Sequence, residues 1–132
     1  MSRYCLGTSA YSRFQHGDPR IVEILDSAEW VGMPAVTLGE LRTGFLLGDR
    51  RDRNEADLRE FLASPVVETL VIDEEVSRHY AEIVGDLRRA GTPLPTNDIW
   101  IAATAARAGA PVLTSDGHFA KIARVGSLTP GG

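Results

Sequence analysis

Three carboxylates far apart in the chain, Glu40, Asp98 and Asp116, stand where short apolar runs end or helices begin, in Thr37-Leu38-Gly39-Glu40, Pro95-Thr96-Asn97-Asp98 and Thr114-Ser115-Asp116. Each has an ordinary structural use. Thr37-x-x-Glu40 fits a capping box, with Glu40 in the first turn of a helix. Asp98 at a helix start complements the macrodipole, and Asp116 before Gly117 suits a turn. Gathered in one place they acquire a different chemistry. Like charges at close range are unfavourable unless a cation neutralises them or one takes up a proton. A carboxylate cluster without His or Cys suits Mg²⁺ or Mn²⁺ rather than zinc. The three histidines, His16, His79 and His118, show no metal-ligand spacing. Acid-only sites of this kind carry out metal-assisted hydrolysis of phosphodiesters, in which the ion activates a water and stabilises charge on the phosphate oxygens.

The elements that must position these acids alternate along the chain. Strand-like runs cover Arg3–Leu6, Val31–Val36, Val66–Ile72, Pro111–Thr114 and Ala123–Leu128. Ile21, Ile24, Leu25 and Ala28 keep helical spacing after the cap and first-turn proline of Asp18-Pro19. Leu58, Phe61 and Leu62 mark a second helix. Val76, Tyr80, Ile83, Val84 and Leu87 mark a longer one that stops at Gly91. DIWIAATAARAG is apolar nearly all round, which predicts a helix enclosed by the fold and ended by Gly109. Strands separated by helices imply one α/β domain over residues 1–128, with a mainly parallel sheet of four to five strands, helices on both faces and a loose tail over 129–132. In such sheets ligands bind beyond the carboxyl ends of the strands, where strand order reverses. The first strand delivers Gly7-Thr8-Ser9 to that edge, and Gly7 has no side chain to present.

Composition narrows the class. A hydrophobic content of 43% with 24% charged residues describes an ordinary globule rather than a disordered chain. A net charge of −4 argues against coating nucleic acid by bulk electrostatics. Lys121 is the one lysine among 14 basic residues, and Arg50-Arg51-Arg53 forms a local cluster that reads as a solvated helix start. No apolar run reaches the roughly 18 residues of a membrane span, and the expected compartment is the cytoplasm. Cys5, alone in the sequence, reads as a buried thiol.

The stretches RYCLGTSAYSRF, PAVTLGELRTGFLLG and LPTNDIWIAATAARAGAPVLTSDGHFAKIA, with the helix ending in LRRAGTP between them, resemble in order and spacing a PIN domain, and more narrowly the VapC toxins of bacterial toxin–antitoxin pairs. The resemblance spans nearly the whole chain. It implies a PIN-like three-layer sandwich and a Mg²⁺-dependent endoribonuclease acting on tRNA, rRNA or mRNA, often a homodimer and held in check by a small antitoxin. It assigns Glu40, Asp98 and Asp116 to the metal site, with Thr8, Ser9, Asn97 and Thr114 as supporting groups. Arg13 and Arg42 flank the same edge as candidates for holding RNA phosphates. Phe45, Leu46 and Leu47 form an apolar run that belongs either to the core or to a groove for the antitoxin.

One position departs from the pattern. Where the family presents an aspartate after its first strand, this chain has Gly7. The glycine is either a backbone device, such as a residue with positive φ, or the place of a missing metal ligand. The second reading implies weak or absent cleavage, and so a rival function: a PIN-like protein that binds antitoxin or RNA without cutting. A receiver-type signalling domain needs an acidic pair after its first strand, which is absent. A hydrolase built on Ser9, His118 and Asp116 lacks the Gly-x-Ser-x-Gly elbow, and His118 reads as a helix-surface residue.

Overall fold

A computed structural model describes residues 2–130. Five parallel strands form one sheet in the order β3-β2-β1-β4-β5, from β1 (Arg3–Leu6), β2 (Trp30–Pro34), β3 (Val67–Leu70), β4 (Val112–Leu113) and β5 (Ser127–Leu128). Cys5 sits opposite Gly32 on one side and Val112 on the other, so β1 is the central strand. The chain builds outward from β1 to β2 and β3, then returns across the sheet to β4. Strand order therefore reverses between β1 and β4, the position at which α/β sheets open a crevice. β1 matches its run in the sequence, and the other four strands are shorter than theirs. β2 ends at Pro34 because the next helix starts at once, and the last strand begins only at Ser127 after a turn.

Side chains alternate across the sheet and so feed two cores. Leu6, Val31, Met33 and Leu113 pack with helices α1 (Thr8–Gln15), α2 (Pro19–Asp26), α3 (Ala35–Leu47) and α4 (Arg51–Leu62). Cys5 and Val112 point the other way, to α5 (Glu74–Ala90) and α6 (Thr96–Ala108). Cys5 is fully buried, and that burial pushes its thiol up to about 12. The apolar DIWIAATAARAG segment is enclosed as its composition demands, with Ile99, Ile101, Ala102, Ala103 and Ala105 all buried. Asp18 caps α2 by accepting from the Arg20 amide, with Pro19 in the first turn. α5 and α6 both end on glycines, Gly91 and Gly109, at φ +69°, a conformation costly for any residue with a Cβ.

Two local readings are corrected. Glu40 is not in a first turn and no capping box forms: α3 begins at Ala35, and Thr37 turns its hydroxyl inward to donate to the Leu6 carbonyl at 2.9 Å. That bond ties the head of α3 to the end of the central strand. Second, Leu46 and Leu47 are not core; at the last two positions of α3 they are 57% and 82% exposed. The arginine cluster is a solvated helix start, with α4 opening at Arg51. Of the tail, Gly131 and Gly132 lie outside the described residues.

Candidate metal centre

Gly7-Thr8-Ser9 is the start of a helix rather than a free turn. Gly7 is the N-cap of α1, with φ −79° and ψ 164°. Its amide donates to the Leu113 carbonyl at 2.9 Å, which binds the ends of β1 and β4 together at the switch point. This extended backbone is open to any residue, so the positive-φ explanation of the glycine fails. A Cβ built there would meet Leu113 O, Thr114 Cβ and Thr114 Oγ1 at 3.4 Å, an ordinary contact distance. Nothing local requires glycine, and a side chain here would stand beside Thr114 at the wall of the acid-lined cavity.

Around Gly7 a cavity of about 280 Å³ is lined by Thr8, Ser9, Glu40, Asp98, Thr114 and Asp116, with Ile101 and Phe119 as its apolar wall. Four separate elements supply its polar groups. Glu40 comes from the second turn of α3, and both its oxygens are held: Thr8 Oγ1 donates to Oε1 at 2.7 Å and Asn97 Nδ2 to Oε2 at 3.3 Å. Asp98 comes from the first turn of α6. Asp116 follows β4, where Thr114 Oγ1 accepts from the Asp116 amide at 2.9 Å and Ser9 Oγ accepts from the Ser115 amide at 2.9 Å. Ser9 and Thr114 hydroxyls meet at 3.3 Å. All seven non-glycine positions read from the sequence as metal-site or supporting residues thus converge on one edge.

His118 was missed. It is the second residue of a short 3₁₀ turn over Gly117–Lys121, and its Nδ1 lies 3.0 Å from Asp98 Oδ2 and 3.1 Å from Asp116 Oδ2. Asp98, Asp116 and His118 offer ligand atoms within 4.8 Å of one another. The expectation of a cluster without histidine is therefore corrected. The available signal was the Asp116-Gly117-His118 spacing, since Asp116 Oδ1 caps the turn by accepting from the His118 amide at 2.9 Å and so aims the ring inward. Asp98, with a side chain 16% exposed, has its carboxyl raised above the usual range. Burial is the chief cause and the neighbouring Asp116 and Glu40 charges add to it, while the hydrogen bond to His118 opposes them.

The two arginines lie elsewhere. Arg42 is held by Glu55 through two 2.9 Å bonds, and Arg13 faces Asp18 at 3.7 Å. Neither lines the acid cavity.

The chain has recognisable relatives. The PIN domain family matches residues 4–125. Ribonuclease VapC4 of Mycobacterium tuberculosis is 41% identical over 101 residues, covering 76% of this chain and 77% of that protein. Ribonuclease VapC5 of the same organism is 36% identical over 92 residues, covering 70% and 68%. Among solved structures, the DNA-bound VapBC of Salmonella typhimurium superposes with a TM-score of 0.83 at 26% identity, over 97% of this chain and 98% of that one. With a family match across nearly its whole length and relatives of this identity, the chain belongs to the PIN-domain family, among the VapC ribonucleases.

Proposed function

We propose that this protein is the toxin of a type II toxin–antitoxin pair, a divalent-metal-dependent endoribonuclease whose cleavage is impaired here because Gly7 stands where a metal-binding aspartate belongs. The observation that carries the reading is the single cavity lined by Gly7, Glu40, Asp98 and Asp116 at the switch point of the sheet. The donor set fits a hard dication. Its carboxylates are partly buried like charges that need a counter-ion, and their oxygens are the preferred ligands of Mg²⁺ and Mn²⁺; His118, whose Nδ1 lies against Asp98 and Asp116, would orient those two carboxylates rather than replace them. Asp98, Asp116 and Glu40 would hold the ion, with Mg²⁺ the physiological choice.

When bound, the ion supplies an activated water and stabilises charge on the phosphate oxygens. The chain's own residues do the positioning. Thr8 and Asn97 fix the two oxygens of Glu40, so that it cannot swing away from the cavity. Ser9 and Thr114 set the backbone that carries Asp116. Ile101 and Phe119 keep water from the inner side of the carboxylates, which strengthens every charge interaction there. Gly7 contributes no oxygen. Loss of a direct ligand should weaken metal binding by at least the roughly 10- to 100-fold typical of losing an outer-shell partner.

The substrate is RNA, of the tRNA, rRNA or mRNA class, in the cytoplasm, and the protein forms a homodimer held in check by a VapB-like antitoxin. Support for the partner comes from the relatives solved as VapBC complexes and from exposed Leu46 and Leu47, apolar surface at the end of α3 that a partner would cover. Gly7 itself favours the second reading, a PIN-like protein that binds antitoxin or RNA without cutting. The deciding experiment compares this chain with its Gly7→Asp variant on structured RNAs in Mg²⁺ or Mn²⁺. We expect the variant to gain specific cleavage, and Asp98→Asn in that background to abolish it. If neither chain cuts RNA or binds metal, the binding protein becomes the better account.

A further inference from the structure

Next to the acid site, α1, α3 and α4 enclose a second cleft of about 290 Å³, which shares Thr8 and Glu40 with the first. Its size is at the small end of the roughly 300–1,000 Å³ range of sites that take small organic groups. Leu41, Gly44 and Phe45 supply an apolar wall, while Gln15, Asn54 and Asp57 supply amides and a carboxylate. Tyr11 lies in the cleft 2% exposed, and among the described residues its hydroxyl has no hydrogen bond of 3.5 Å or less, although the Gln15 side chain stands beside it. A buried hydroxyl left without a partner is unfavourable, so this one is set to gain from a ligand that bonds to it. The cleft is also braced. The Tyr11 ring meets Phe61 of α4 edge-on at 5.2 Å, and the paired Arg42–Glu55 bonds clamp α3 to α4.

The chemistry of the lining restricts the occupant. Among the described residues no arginine or lysine lines the cleft, and two carboxylates, Glu40 and Asp57, do beside a single histidine, His16, so an anionic group is disfavoured. A neutral, flat group with hydrogen-bonding edges suits an apolar wall rimmed by amides. Unstacked RNA bases are recognised in this way, by side-chain faces and by bonds to their edges. The shared Glu40 adds position: whatever occupies the cleft adjoins the group held over the acids, as a base adjoins its own phosphate. We propose that this cleft is a nucleobase subsite, which takes the unpaired base beside the scissile phosphate and reads its edge with Tyr11, Asn54 and Asp57. Because Asp57 only accepts, the subsite selects a base presenting N–H groups on its pairing edge, guanine above uracil. The inference rests on the ribonuclease reading above.

The test uses the full-length Gly7 chain, Mg²⁺ and four labelled pentaribonucleotides that differ only in the central base, with affinity read by fluorescence anisotropy. The parent should separate the strongest from the weakest by about tenfold, guanine leading, as one well-paired base edge provides. Tyr11→Phe and Asp57→Asn should each compress that spread to about twofold. Tyr11→Phe keeps the ring and removes an unfavourably buried hydroxyl, so its thermal midpoint should equal or exceed the parent's. RNA binding with no base preference, or with a ranking both variants retain, would overturn the subsite alone. No RNA binding by this chain or by Gly7→Asp in Mn²⁺ would overturn the ribonuclease reading with it. Variants that weaken an antitoxin and leave the RNA ranking intact would give the cleft to the protein partner and overturn the proposal.

Discussion

Asp98 bears the electrostatic cost of the acid site. Its side chain is more enclosed than that of Asp116, at 16% against 39% exposed, and both Asp116 and Glu40 raise its carboxyl further. A raised value in the folded state means that folding disfavours the ionised form. The penalty is absent at pH below the unfolded value of about 3.9, grows as pH rises towards the raised folded value, and is complete above it. Asp98→Asn should therefore raise the thermal midpoint of the metal-free protein at pH 7, and the gain over the parent should disappear as pH falls through the carboxylate range. An equal or lower midpoint at pH 7 would contradict that assignment. Mg²⁺ should stabilise the parent more than the variant, because it binds the folded state through the same carboxylates. At this scale the sequence was informative about which residues matter and less so about their company. Glu40, Asp98 and Asp116 were legible as acids at element ends. The approach of His118 to two of them was not, because a short 3₁₀ turn brings it there and no helical or strand period marks that turn.

Among elements, α3 depends on one bond that its sequence disguises. Thr37 looks like a helix cap in the linear pattern, yet it is fully buried two residues inside the helix and donates to Leu6 at the end of β1. The bond fixes where α3 leaves the sheet, and so where Glu40 stands one turn later. Thr37→Val keeps the shape and loses the hydroxyl. It should cost about 1–3 kcal/mol by leaving the Leu6 carbonyl without this donor, measured by urea denaturation, and in the Gly7→Asp background it should lower cleavage beyond any loss of folded protein. Unchanged stability would mean that the backbone alone holds α3 in place. α2 was readable from its cap and spacing, α5 from its spacing and terminal glycine, and α6 from its apolar run and terminal glycine. α1 was not read as a helix: Thr8–Gln15 is short and mostly polar, and only its packing of Ala10 and Tyr11 against the sheet makes it one.

For the molecule as a whole, a net charge of −4 and an acidic cavity oppose a polyanionic substrate. RNA affinity at constant ionic strength should consequently rise when Mg²⁺ replaces a monovalent salt, and more steeply in Gly7→Asp than in this chain. Binding by filter retention or anisotropy checks it, and affinity indifferent to Mg²⁺ would separate RNA recognition from the acid site. The alternation of strands and helices was enough to establish an α/β chain with a parallel sheet, since periodicity and punctuation are local properties that the sequence carries in full. Residue types likewise established three acids suited to a hard cation, and the family resemblance marked Gly7 as the place of a fourth. Only the tertiary structure decided that β4 returns beside β1 and so brings residues a hundred positions apart to one edge. Only it decided that Gly7 has ordinary extended backbone with room for a side chain, and that Leu46 and Leu47 face solvent. Those outcomes depend on which strands pair and on which helix positions other segments cover, and both follow from packing between distant segments rather than from any neighbour in the chain.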